Sequence, residues 1–292
     1  MKENSPQVIT EEIDPVKAQQ ELNLIRYKRA LARRNFIKNV GLASAGVAAG
    51  AILEGCSSSG HGGTVSAQGP SQTDVLNFAL NLEYLEAEFY SIATTGNRLS
   101  SSVSGGTSTA TGGSKVPFAD PRVADIAAEI ANDEMLHVAY LRSALGASAV
   151  AEPAINLAAL GIGFTGDADF LALARAFEDT GVSAYAGAAT YLSGNNLQAA
   201  AQILATEAYH AGNIRLYCVQ GISCGGASIA SPMLDSMDIP PTEQHFFPTD
   251  SNGLAIKRTT SQVLMIVYHT TSTGVTSGGF FPNGVNGNIK ST

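Results

Sequence analysis

Four stretches of the chain repeat apolar residues at intervals of three and four, and in each the apolar seam is broken by acidic side chains. Over 121–145 the seam reads Val123, Ala127, Ile130, Glu134, His137, Leu141 and Ala144. That spacing is one face of a helix packed into a bundle. A first helix, expected over about 71–93, carries Leu76, Leu80, Glu83, Ala87 and Tyr90 on its seam. A third, over 167–192, carries Leu171, Ala174, Glu178, Gly181, Tyr185 and Ala188. A fourth, over 197–217, carries Ala200, Ile203, Glu207, His210, Ile214 and Tyr217. Start and stop signals agree with the seams: Ser71 or Thr73 can cap the first helix, with Gly96 beyond its end, and Asp120 precedes Pro121 at the head of the second. No stretch alternates as a strand would, so the reading is an all-α four-helix bundle over 71–217. An extension over 218–292 contains a fifth helix, expected over 259–269.

Helical phase sorts the other acidic residues. Glu86 lies on the flank of the first seam, Glu88 is expected to face solvent, and Asp179 is turned off the third seam. The stretch 96–116 is rich in Ser, Thr and Gly, has no apolar period, and reads as a polar loop. A GxGxxG pattern, Gly161 to Gly166, opens the third helix but lacks the preceding strand that a dinucleotide-binding unit needs, so it is read as a turn.

An ionised carboxylate moved into a packed interior costs several kcal/mol unless opposite charge meets it there. Here Glu83, Glu134, Glu178 and Glu207 occupy core positions, one on each helix, and His137 and His210 follow two of them at the i+3 position. Four carboxylates in one core repel each other and cannot all ionise uncompensated. Two divalent cations resolve this, because carboxylates can bridge or terminate and an imidazole can complete each ion. Mixed nitrogen and oxygen ligation at open positions suits iron or manganese, whereas calcium seldom recruits two histidines. His245 and His269 lie in the extension and are open to use as extra ligands, but read first as surface or hydrogen-bonded histidines.

Charge is unevenly placed. The chain has 292 residues and a formal charge of −8, but residues 1–56 hold 8 of the 17 basic and only 6 of the 25 acidic side chains. With few basic residues beyond that segment, a nucleic-acid partner is not expected. Arg33 and Arg34, followed by Phe36, Ile37 and Lys38 and then a Gly- and Ala-rich apolar run from Val40 to Leu53, resemble a twin-arginine export signal. Leu53, Glu54, Gly55 and Cys56 resemble a lipobox in which Cys56 is lipidated, although Glu54 is an unusual occupant and cleavage near Val65, Ser66 and Ala67 is the competing reading. The expected partners are therefore the twin-arginine machinery and a membrane reached through the lipid; self-association is left open. Residues 57–70 read as a Gly/Ser-rich tether. Cys218 and Cys224 remain as an even pair for an oxidising compartment, either bonded to each other or as two buried thiols.

The order Glu83, then Glu134 with His137, then Glu178, then Glu207 with His210, together with Tyr90 seven residues after Glu83, resembles the ferritin-like superfamily. The likeness is to exported ferritin-like domain proteins similar to plant desiccation-related proteins. The resemblance implies two Fe or two Mn ions, with Glu134 and Glu207 as bridges, Glu83 and Glu178 as terminal ligands, and one histidine on each ion. It implies that Tyr90 steadies a terminal carboxylate. The superfamily includes ferroxidases, peroxidases, catalases and oxygenases, so the resemblance does not choose a reaction. A structural or desiccation-protective envelope protein braced by metal is the alternative. The polar loop and the long extension depart from storage ferritins and put a hollow shell in doubt.

Overall fold

The computed structural model describes residues 69–162, 164–219 and 235–292. The twin-arginine signal, the lipobox with Cys56, the tether before residue 69, and Cys224 lie outside the described residues. Cys218 is disulfide-bonded.

The chain forms α1 (Gln72–Thr95), a one-turn α2 (Ser101–Ser104), α3 (Pro121–Leu145), α4 (Asp167–Ala188), α5 (Gly194–Val219) and α6 (Thr260–Val267). Ser71 caps α1 through a reciprocal pair with Asp74, and Gly96 closes it at φ 80. The Asp120 carboxylate accepts from the Arg122 amide at the head of α3, where Pro121 cannot donate. Asp167, at the head of α4, accepts the Ala119 and Asp120 amides at 3.1 and 2.9 Å, which joins the starts of two helices. Among the described residues no strand forms, and the only sheet-like pairings are isolated bridges such as Thr111 with Asn156. Gly161 takes φ 65 in a turn, and no strand leads into α4.

Packing divides the bundle into two pairs, α1 with α3 and α4 with α5, which meet through α1 and α4. The link between α4 and α5 is a single 3-10 turn, Ala189–Tyr191, and a short bend, so those two helices fold straight back on each other. Every residue of α1 from Val75 to Ala93 is buried, as is nearly all of α4 from Phe170 to Tyr185. By contrast α3 and α5 bury one stripe and show water the rest.

Two segments cover the backs of α1 and α4. The 96–116 stretch is not the loose polar loop its composition suggests: it contains α2 and buries Leu99, Ser104, Ser108, Ala110 and Val116. The extension supplies α6 and the pair Phe280 and Phe281, which are 1% and 0% exposed. Burying each phenylalanine is worth about 1.5–3 kcal/mol. Phe280 meets Phe177 edge-on at 5.0 Å, within an aromatic cluster that runs through Phe89 and Phe170. Asn81 exchanges two hydrogen bonds with the backbone of Asn286, each 2.9 Å. At Gly187 a side chain would strike the Arg258 carbonyl, so glycine there lets the extension lie directly on α4.

The extension is also held by charge. Arg215, fully buried on α5, donates to Asp179 at 2.6 Å, to the Ile239 carbonyl at 2.7 Å and to the Phe246 carbonyl at 2.5 Å. Arg175 pairs with Asp179 and Asp238 at 3.1 and 2.9 Å. Asp179 is thus off the core seam, as its phase implies, and is spent on two guanidinium groups. His245 and His269 are both exposed. No described helix is long and apolar enough to cross a membrane.

Candidate metal centre

The four long helices bring Glu83, Glu134, His137, Glu178, Glu207 and His210 into one buried cluster; the four carboxylates are 0% exposed and the imidazoles 9% and 7%. The cluster divides into two overlapping groups. In the first, Glu83, Glu134, His137 and Glu207 offer ligand atoms within 4.8 Å of one another; in the second, Glu134, Glu178, Glu207 and His210 do the same. His137 Nδ1 lies 3.2 Å from Glu83 Oε2, 3.1 Å from Glu134 Oε2 and 3.4 Å from Glu207 Oε1. His210 Nδ1 lies 3.0 Å from Glu134 Oε1 and 3.3 Å from Glu178 Oε2. The carboxylate of Glu134 therefore turns one oxygen to each histidine.

These contacts leave lone pairs unspent. Glu134 Oε1, Glu178 Oε2, both oxygens of Glu207 and His210 Nδ1 are shielded from solvent and have no hydrogen-bond partner. His210 Nδ1 and Glu134 Oε1 are close enough for a hydrogen bond but not aligned for one, which is how donor atoms sit when they converge on a point between them. Orphaned buried acceptors at this density are costly. Each group gathers buried oxygen and imidazole nitrogen donors of a kind that could hold a metal ion.

The protons of the metal-free protein report the same strain. Burial pushes the Glu134 carboxyl up to about 7, although the hydrogen bond with His137 and the nearby His210 ring pull it down. Burial, and then repulsion from the neighbouring carboxylates, holds Glu207 well above the usual carboxylate range. Glu83 goes the other way: burial would raise it, but the His137 charge and hydrogen bonds from His137 and Tyr185 bring it below its ordinary value. Burial opposes a charge on His210, yet Glu134 and Glu178 raise it to about 11, and His137 is likewise raised by Glu83, Glu134 and Glu207.

Around the six lies a set of supporting side chains. The Tyr90 hydroxyl donates to Glu178 Oε1, across from α1 to α4. The Tyr185 hydroxyl donates to Glu83 Oε1 in the reverse direction. Tyr185 is absent from the expected supports, although it stands seven residues after Glu178, as Tyr90 does after Glu83. The repeated interval was the available signal. His210 Nε2 faces Asp133 Oδ2 at 3.2 Å, the second-side contact that fixes which ring nitrogen turns inward.

Two expectations about α1 need correction. Glu88 does not face solvent: it is 0% exposed, and its Oε1 accepts from the Leu99 amide at 3.1 Å and from Ser108 Oγ at 2.5 Å. The phase was right but the folded 96–116 stretch occupies the side where water was expected. Glu86 is not a mere flank residue either. It is buried, and its carboxyl is held well above the usual range by burial and then by Glu207, Glu134, Glu178 and Glu83. Its room is made by Gly181, where an added methyl would run into Glu207 Oε2 and come within 3.2 Å of Glu86 Oε1.

A cleft of about 150 Å³ between α3 and α5, lined in part by Ile126, Glu129, Asp133, Thr206, Tyr209 and His210, reaches from the surface to the His210 ring.

An all-helical bundle with an inward Glu-x-x-His on each of two helices and one carboxylate on each of the others defines a ferritin-like protein by its architecture. Residues 71–220 match the model of the ferritin-like domain family, and the chain belongs to that family. A comparison with curated proteins gave no match.

Proposed function

We propose that the protein is an exported, carboxylate-bridged dimetal protein, di-iron or di-manganese, that acts on O2 or a peroxide in redox or stress defence. The observation that carries this reading is the pair of overlapping ligand groups that share Glu134 and Glu207. In it Glu83 and His137 would hold one ion, Glu178 and His210 would hold the other, and Glu134 and Glu207 would be available to both. Bound ions would supply Lewis acidity and electron transfer at coordination positions the protein leaves open. The chain's own residues supply the rest. Tyr90 and Tyr185 stay protonated, raised by burial and by the carboxylates they face, and so keep donating to Glu178 and Glu83. Asp133 steadies the His210 ring, and the cleft beside it gives a small molecule a way in. That opening favours a reactive centre over one that only braces the bundle.

Export through Arg33 and Arg34, with Cys56 as a lipid anchor, is supported by the sequence pattern alone, and it accounts for a basic leader on an otherwise acidic chain. The similarity to desiccation-related proteins has the same standing. The test is aerobic Fe(II) addition to metal-free protein followed by ultraviolet-visible spectroscopy, beside a hydrogen peroxide consumption assay and elemental analysis. Two ions per chain, about 3.5–4 Å apart by X-ray absorption, with turnover of either oxidant, is the expected result. Stoichiometric metal without turnover would replace it with the protective, metal-braced reading. One tightly held zinc per chain would overturn both.

A further inference from the structure

Helices α1 and α4 repeat one another, and at one position the repeat fails. Glu83 on α1 and Glu178 on α4 each place a carboxylate in the centre, and seven residues later each helix has a tyrosine whose hydroxyl donates to the carboxylate of the other helix. Three residues after the carboxylate, about one turn along the same side, α1 carries Glu86 and α4 carries Gly181. These two positions face each other. A methyl added to Gly181 would collide with Glu207 Oε2 and would lie 3.2 Å from Glu86 Oε1, so both oxygens border the notch that the glycine leaves. Glycine inside a helix weakens it relative to alanine. Helix α4 thus gives up a side chain at the level of the centre, and the space goes to two acids, one of them already shared by both ligand groups.

Glu86 is 4% exposed. Among the described residues no group donates a hydrogen bond to its carboxylate, and none forms an ion pair with it. Glu207 Oε2, across the same notch, is shielded and also has no hydrogen-bond partner. The buried guanidinium groups nearest in the chain to these helices' centres, Arg175 and Arg215, are turned to Asp179 instead. A carboxylate buried this deeply needs a donor or a cation. Each ligand group of the centre offers four side chains, and an octahedral ion has room beyond that for a further oxygen.

We propose that Glu86 is a seventh protein ligand of the centre, an oxygen donor that binds one ion beside Glu207 and has no counterpart on α4. The inference rests on the dimetal reading and extends it. Gly181 is then a part of the site although it has no side chain, because it keeps open the place from which Glu86 reaches the ion. The competing role for Glu86 is that of a neutral acid whose proton is shared with Glu207. Glutamine separates the two, since it has the shape of the neutral acid and keeps a donor but is a far poorer metal ligand than a carboxylate.

The test is a titration of the metal-free, full-length protein with Co²⁺ in the absence of oxygen, followed by calorimetry and by the visible bands of cobalt, which respond to the number of donors. Wild-type protein is expected to bind two Co²⁺ per chain. Glu86→Gln should still bind two, but with one of them weakened by about tenfold or more, as large as the loss of a partner outside the ligand set, and with an altered cobalt spectrum at saturation. Should Glu86→Gln not fold, Glu86→Asp, which keeps the acid but withdraws it by one methylene, takes its place with the same expected weakening. Unchanged affinities and an unchanged spectrum in the variant overturn the proposal and leave the shared proton. Equal weakening of both ions, together with a lower Tm of the metal-free variant, overturns it in favour of a purely structural role. Wild-type protein that fails to bind two Co²⁺ removes the dimetal reading itself, and this inference with it.

Discussion

Helices α1 and α4 each contribute one carboxylate to the centre and are buried around almost their whole circumference; α3 and α5 each contribute a carboxylate and a histidine and keep a wide face in water. All four carry the same apolar period. The period therefore identifies a seam but does not say what lies behind it. Behind α3 and α5 there is solvent. Behind α1 and α4 lie the 96–116 segment and the extension, and polar residues there, such as Asn81, Glu88 and Asp179, hydrogen-bond to protein groups.

The largest effect should separate shared from unshared ligands. Glu134→Ala, on a half-exposed helix, is expected to cost most of both ions by elemental analysis, because its two oxygens face different histidines. Glu83→Ala, on a fully buried helix, should cost chiefly the ion beside His137. Equal losses from the two would mean that Glu134 serves one ion only.

Next in size is Gly181→Ala on α4. The added methyl meets Glu207 Oε2 and has no open direction, so overpacking of about 1–3 kcal/mol in thermal stability is expected, together with weaker metal retention. A variant as stable as the parent, with full metal, would show that α4 can shift and is less constrained than its burial implies.

A pH series tests the electrostatics of the shared carboxylates. In the metal-free protein Glu134 has a folded pKa near 7 against an ordinary 4.5. Its contribution is full below the ordinary value and is lost as pH rises from 4.5 through 7. His210, raised to about 11 from 6.5, extends that loss to higher pH. The lowered Glu83 acts oppositely, but only as pH falls below its ordinary 4.5. The melting temperature of metal-free protein should therefore fall between pH 4.5 and 7. That of loaded protein should rise, since the ligands must shed protons to bind. Parallel curves would contradict this assignment.

The smallest effect concerns the symmetry of the pair α1 and α4. Tyr90→Phe and Tyr185→Phe each remove one donor to a terminal carboxylate, and each should weaken the ion on that side by about tenfold. A clearly larger effect at one of the two, read by metal competition, would show that the two ions are held unequally.

Much of this was legible in the chain. Ser71, Asp120, Pro121 and Gly96 mark helix ends by local chemistry, and the structure places them at those ends. The third helix ends earlier than its period suggests, at Ala188, because the last residues tighten into a 3-10 turn. The six inward polar residues stood out because their neighbours on each seam are apolar, and the fold brings all six together. Glu86 was harder to read, since its place depends on the absent side chain of Gly181 on another helix. Glu88 was misread because its partners come from a segment whose Ser, Thr and Gly composition carries no period. Arg215 gave no local signal at all, since its acceptors are backbone carbonyls in the extension and a carboxylate on α4.

The full burial of α1 and α4 also sets where the protein can breathe. Amide protons on those two helices should exchange with solvent only through global unfolding, whereas α3 and α5, each wetted along one face, can open locally at lower free energy. The histidines and both shared carboxylates ride on the helices that open, and the α3–α5 cleft lies between them. Ions can then enter or leave while the central pair stays protected. Deuterium uptake should thus reveal a slow inner hairpin of non-consecutive helices and a faster outer one that responds to metal.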